Sequence, residues 1–129
     1  MADVNRGNRP LSPFMIGPYY RPQITSISSI MVRITGIASM GTAFILVIWL
    51  LAASGSESAF NAFNGFLTSW FGDLILFLAS WAIYYNMLGR LRHVVWDFGY
   101  CLDVAISEKL GYGMFALATV MAICTAILV

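Results

Sequence analysis

An all-α, integral-membrane fold with three transmembrane helices is what this sequence predicts, and three observations predict it. The 129 residues are 60% apolar and only 10% charged, with a mean hydropathy of +0.80. A soluble domain carries about 25% charged residues, so this chain cannot cover itself with a polar surface. Three long stretches lack any formal charge, and the basic residues all lie on one side of them.

Residues 1–22 hold all four prolines, Pro10, Pro13, Pro18 and Pro22, with three arginines. Proline removes a backbone donor and pushes its predecessor out of the helical region, so residues 1–24 read as an extended, turn-like segment. Residues 25–129 read as a single domain with helices at about 25–53, 64–92 and 106–129. In the first, Ile34 to Ser56 gives 23 uncharged residues centred on Phe44-Ile-Leu-Val-Ile-Trp-Leu-Leu51. That length spans a hydrocarbon core with some tilt. Ala52-Ala-Ser-Gly55 resembles a signal-peptide cleavage site, but the apolar run before it is too long and begins too late. Residues 52–65, rich in Ser, Gly, Ala and Asn, read as a short loop. The second span runs from roughly Phe66 to Leu91, with 16 uncharged residues between Leu74 and Gly89. The third, Leu110 to Val129, has 20.

Arg6, Arg9, Arg21 and Arg33 precede or open the first helix, and Arg90, Arg92 and Lys109 lie between the second and third. The loop between helices one and two has no basic residue. The positive-inside rule therefore places the N-terminus in the cytoplasm and the C-terminus in the periplasm. A net charge of +1 with no basic run excludes a nucleic-acid partner. Cys101 and Cys124, if on one helix, stand about 35 Å apart, beyond disulfide reach, and no Cys/His spacing points to a metal.

The chain's only histidine, His93, sits in Asn86-Met-Leu-Gly-Arg-Leu-Arg-His-Val-Val-Trp-Asp-Phe-Gly-Tyr100. On a helix wheel Asn86, Arg90, His93 and Asp97 fall within roughly 60° of one another. A polar stripe is costly at a membrane boundary, so it is expected to face protein, a cofactor or headgroups. Ser29 and Arg33, four apart on one helix face, stand at the same depth, and a polar pocket between helices one and two follows. The bland alternative is that Arg33, Arg90 and Arg92 snorkel to phosphates. His93 has two readings: an interfacial group bonded to Asp97 or a headgroup, or a proton relay. Trp96 and Tyr100 read as interface aromatics, and Cys124 and the methionines as core packing.

Arg9-Pro-Leu-Ser-Pro13, Tyr20-Arg21, Ser29-Ile-Met-Val-Arg-Ile-Thr-Gly36 and Arg92-His-Val-Val-Trp-Asp-Phe-Gly99, in that order, form a series that resembles the larger membrane-anchor (cytochrome b) subunit of succinate dehydrogenase, complex II. The resemblance covers nearly the whole chain. It implies an anchor for a flavoprotein subunit carrying FAD and an iron–sulfur subunit carrying clusters, beside a second small anchor subunit in the bilayer. It also implies a ubiquinone site that Ser29 and Arg33 help form, where a hydroxyl and a fixed cation orient the ring and stabilise negative charge.

Two positions depart from the family. Its Ser-x-x-His-Arg pattern has Val32 at the histidine, and its haem-ligand histidine is replaced by Asn86. An amide is a poor axial ligand for haem iron, so haem b, the family cofactor, is in doubt and a haem-free anchor is expected. Two rescues stay open: ligation by His93 after a shift of two helical turns, or a ligand from the partner subunit. Tyr84, Tyr85 and Met87 are candidates to fill the vacated space.

The resulting expectation is a membrane-anchor subunit of succinate:ubiquinone oxidoreductase with no catalysis of its own. The rival readings are a purely structural anchor without a quinone role and a small transporter subunit. The transporter lacks support because no charge sits mid-span. No Arg/Ser-rich amphipathic presequence precedes Arg9-Pro10, which favours a bacterial inner membrane over a mitochondrial one.

Overall fold

A computed structural model describes residues 22–128; the extended segment expected over 1–24 lies, up to residue 21, outside them. Four helices follow one another: α1 Ile24–Gly55, α2 Glu57–Leu67, α3 Trp70–Asp97 and α4 Val104–Leu128. Three of them, α1, α3 and α4, are long and apolar enough to cross a membrane. At 1.5 Å per residue, the 32 residues of α1 extend about 48 Å, well past a hydrocarbon core of about 30 Å.

The stretch read as a loop over 52–65 is instead largely helical. α1 continues to Gly55, a single extended residue, Ser56, breaks it, and α2 begins at once. The Ser56 hydroxyl accepts from the Ala59 amide at 3.2 Å and caps α2, with Glu57 favourably placed in the first turn. Phe60, Phe63 and Leu67 recur at helical spacing. Phe60 meets the Trp49 ring at 5.8 Å, and the Trp49 indole donates to Asn64 Oδ1 at 3.4 Å, so α2 lies back against α1. Ser69 then caps α3 by accepting from the Gly72 amide.

α3 also runs further than the 92 expected from hydropathy. It ends at Asp97 in a Schellman motif: the Gly99 amide donates to the Trp96 carbonyl at 2.8 Å and the Tyr100 amide to the Val95 carbonyl at 3.2 Å. Gly99 takes the left-handed conformation this requires (φ 79°) without the cost a Cβ would bring. The Trp96 indole, expected at the interface as a free aromatic, donates to the Cys101 carbonyl at 3.2 Å and pins the turn.

α3 is the central helix and packs against both α1 and α4. Tyr85 is fully buried, with the Trp81 ring stacked on it at 5.1 Å and Phe115 of α4 at 4.7 Å. Ala118 and Ala122 give α4 a small-residue face, which lets helices approach where lipid offers no hydrophobic drive to associate. The Tyr84 hydroxyl pairs with Thr125 Oγ1 at 2.7 Å, and the Trp81 indole donates to Thr119 Oγ1 at 3.1 Å. Of the residues proposed to fill space near position 86, Tyr85 does turn inward, whereas Met87 is exposed. The methionines do not act together as core: Met114 is buried, but Met40 is exposed, as is Cys124. Both cysteines are free.

Between α1 and α3, Gly89 leaves no room for a side chain. A Cβ there would overlap the Val32 side chain, and Val32 is β-branched and cannot swing away. Gly89→Ala is therefore expected to destabilise the bundle by about 1–3 kcal/mol, read as a lower thermal unfolding midpoint in detergent. Adding Val32→Ala should recover part of that loss, a non-additivity that isolates the contact.

Candidate functional site

Tyr85, Gly89, Arg92 and Trp96 recur at steps of four, three and four, which puts them within roughly 60° on the α3 wheel. That face, about 100° from the Asn86–Asp97 stripe, is the one that turns toward α1 and α4. It carries a cation into the protein. Arg92 is 9% exposed. One terminal nitrogen donates to Ser28 Oγ of α1 at 2.8 Å and the other to Ser107 Oγ of α4 at 3.0 Å. Met114 Sδ lies 3.9 Å from the first. The Trp96 ring covers the guanidinium at 4.2 Å, a cation–π contact that desolvation strengthens. Among the described residues no carboxylate pairs with Arg92, and its Nε, like the Tyr85 hydroxyl, has no hydrogen-bond partner. Arg92 was grouped with the snorkelling arginines; it is instead the buried cation of the bundle. Its nearest polar neighbour on α1 is Ser28, one residue before the serine the sequence singled out.

The side chains around Arg92 line a cavity of about 220 Å³, made by Thr25, Ser28, Ser29 and Val32 of α1, Gly89, Arg92, His93 and Trp96 of α3, and Ser107 of α4. Of the expected site residues, Ser29 and His93 share this cavity. Arg33 is exposed and does not line it. The polar stripe does not act as one unit: Arg90, His93 and Asp97 are exposed, while Asn86 is half-buried against α1. His93 meets the Trp96 ring edge-on at 5.3 Å. Asn86 Nδ2 donates to the Val32 carbonyl at 2.8 Å, so the two positions expected to depart from the family pattern are joined directly. The signal for Arg92 was present in the sequence as the glycine at position 89, which marks the face where another helix comes close.

Three apolar spans around a cationic, hydroxyl-rich cavity at one end of the bundle define a small multi-pass membrane subunit whose polar site lies among its helices. Residues 5–125 match the family model described as succinate dehydrogenase/fumarate reductase transmembrane subunit. The chain is 42% identical over 127 residues to the succinate dehydrogenase cytochrome b556 subunit of Paracoccus denitrificans, covering 98% of this chain and 96% of that one. It is 38% identical over 120 residues to the cytochrome b560 subunit of Reclinomonas americana, covering 86% and 79%. The chain belongs to the succinate dehydrogenase/fumarate reductase transmembrane-subunit family. It is a membrane subunit of complex II of the respiratory chain, and catalysis is not its own.

The acceptors of Arg92 are what make its burial tolerable. Ser28→Ala leaves one guanidinium N–H without a partner, and a loss of about 1–3 kcal/mol is expected. The check is the unfolding midpoint of the purified complex, which should fall for Ser28→Ala and recover with Ser28→Thr.

Proposed function

We propose that this chain anchors the flavoprotein and iron–sulfur subunits of succinate dehydrogenase to a bacterial inner membrane, beside a second small anchor subunit, and lends Ser29 and Arg33 to a ubiquinone site. The orientation follows from the arginines: the N-terminus faces the cytoplasm and the C-terminus the periplasm. The observation that carries the quinone reading is the cavity at the arginine-rich end of the bundle, which the exposed Ser29 and the buried Arg92 both line. A quinone head is a flat ring whose polar atoms are acceptors, and it suits a pocket with a cation and hydroxyl donors and no carboxylate. Arg33 lies one turn from Ser29 on α1, exposed and outside the cavity lining, and in this reading its cation acts on the site from the bilayer side.

Haem b is implied by the cytochrome names of the relatives, and the residues here do not fit it. The axial position holds Asn86, whose amide is committed to the Val32 carbonyl. The one imidazole, His93, lies on the exposed side of α3 against Trp96. We therefore read the subunit as a haem-free anchor, with electrons passing directly from the iron–sulfur subunit's cluster to a quinone held at this site.

Arg33→Ala and Ser29→Ala are expected to lower quinone reduction by about tenfold while succinate oxidation by a soluble dye acceptor persists. Unchanged quinone kinetics in both would leave a purely structural anchor. A dithionite-reduced minus oxidised spectrum of the purified complex should lack b-type bands; one haem per flavin would overturn the haem-free reading and make His93 or the partner subunit the source of the ligand.

A further inference from the structure

The hydroxyls of the bundle differ in what becomes of their protons. Those of Thr35, Ser39, Ser80, Thr119 and Thr125 each return theirs to a backbone carbonyl of the preceding turn, the usual way a helix satisfies such a group away from water. Ser28 does the same, donating to the Thr25 carbonyl at 3.0 Å while it accepts from Arg92 at 2.8 Å, so both its capacities are used. Ser107 is different. It is buried, and its oxygen accepts from the second guanidinium nitrogen of Arg92 at 3.0 Å. Its proton has no acceptor among the described residues, although the Asp103 carbonyl lies one turn back and takes the Ser107 amide. The Ser107 hydroxyl bonds Arg92 rather than a carbonyl of its own helix, and Ser107 lines the same cavity as Ser29.

We infer that Ser107 is a substrate contact for the quinone head, donating its hydroxyl hydrogen to a ring oxygen, and that Arg92 is the positioning residue that aims and polarises it. The inference rests on the quinone reading above and deepens it. A hydroxyl whose lone pair is held by a cation is a stronger donor. In a mostly enclosed cavity its bond strengthens as negative charge builds on the acceptor. The ligand class follows from the lining: an uncharged or electron-accepting ring with acceptor oxygens, met by Ser29 from α1 and Ser107 from α4.

The test uses the membrane-bound complex with a short-chain ubiquinone. Ser107→Ala should raise KM for the quinone about fivefold to tenfold, the loss of a donor worth about 1 kcal/mol or slightly more. It should also weaken the semiquinone radical signal. Dye-linked succinate oxidation should hold, which reports an assembled complex. Ser107→Thr should stay within about twofold of the parent. Should Ser107→Ala fail to accumulate, Ser107→Cys makes the same comparison with a weaker donor of similar size, a raised KM supporting the role and an unchanged KM overturning it. If Ser29→Ala shifts KM and radical signal but Ser107→Ala shifts neither, the quinone site stands and the Ser107 role falls. If none of Ser29→Ala, Arg33→Ala and Ser107→Ala moves the quinone kinetics, both fall together.

Discussion

A guanidinium held inside a bundle of membrane-spanning helices is the constraint on which the rest of this structure depends. Arg92 keeps its charge and loses its water, and the penalty is relieved only if every neighbouring helix presents an acceptor at the right height. α1 presents Ser28 and α4 presents Ser107. A one-residue slip toward Ile27 on α1 or Ile106 on α4 would put an apolar side chain where Arg92 now finds a hydroxyl, whereas the opposite slip would bring Ser29 or Glu108. The interaction therefore guards register in one direction as well as contributing energy. Its other supports are local. Gly89, one turn earlier, brings α1 close enough for Ser28 to reach. The Schellman turn at Gly99 sends the chain back so that the first turn of α4 lies beside Arg92. Trp96 joins the two by covering the cation and holding the turn through Cys101.

What the sequence made legible, and what it hid, divides along the same physical line. Charge-free runs measure the membrane directly, so three spans could be counted from Ile34–Ser56, Leu74–Gly89 and Leu110–Val129. Their packing could not be read the same way. In water the apolar side of a helix faces the core, but in lipid both sides are apolar and the pattern says little about which face meets protein. The Asn86–Asp97 stripe drew attention because it is polar, yet most of it is exposed. The face that is buried announces itself only through Gly89, a position where no side chain exists to be seen. Ser29 stood out by lying one turn from Arg33 at the inner end of the first span; the burial of Arg92 and its partners Ser28 and Ser107 needed the three helices in place. α2 was hidden by composition: its Ser, Ala and Asn residues resemble a loop, although Ser56 as a cap and Phe60, Phe63 and Leu67 at helical spacing were there to be read.

The pair Asn86 and Val32 shows how a polar residue is made tolerable where it has no water. An amide in a transmembrane helix must find a partner or carry a cost of about 1–3 kcal/mol. Asn86 finds the Val32 carbonyl across the α1–α3 seam, and Gly36, one turn further along α1, leaves room for it: a Cβ there would stand 3.2 Å from Nδ2. Three positions on two helices thus agree on one arrangement: a short polar side chain on α3, a backbone carbonyl as its acceptor, and a glycine beside it. The residues at 32, 36 and 86 are in this sense one feature. Their mutual fit ties α1 to α3 by direct protein contacts. The seam and the donor-lined cavity meet at Val32, whose carbonyl takes the Asn86 amide while the residue itself helps line the cavity. A change at position 32 or 86 is therefore expected to be felt in the cavity, because the two share one stretch of α1.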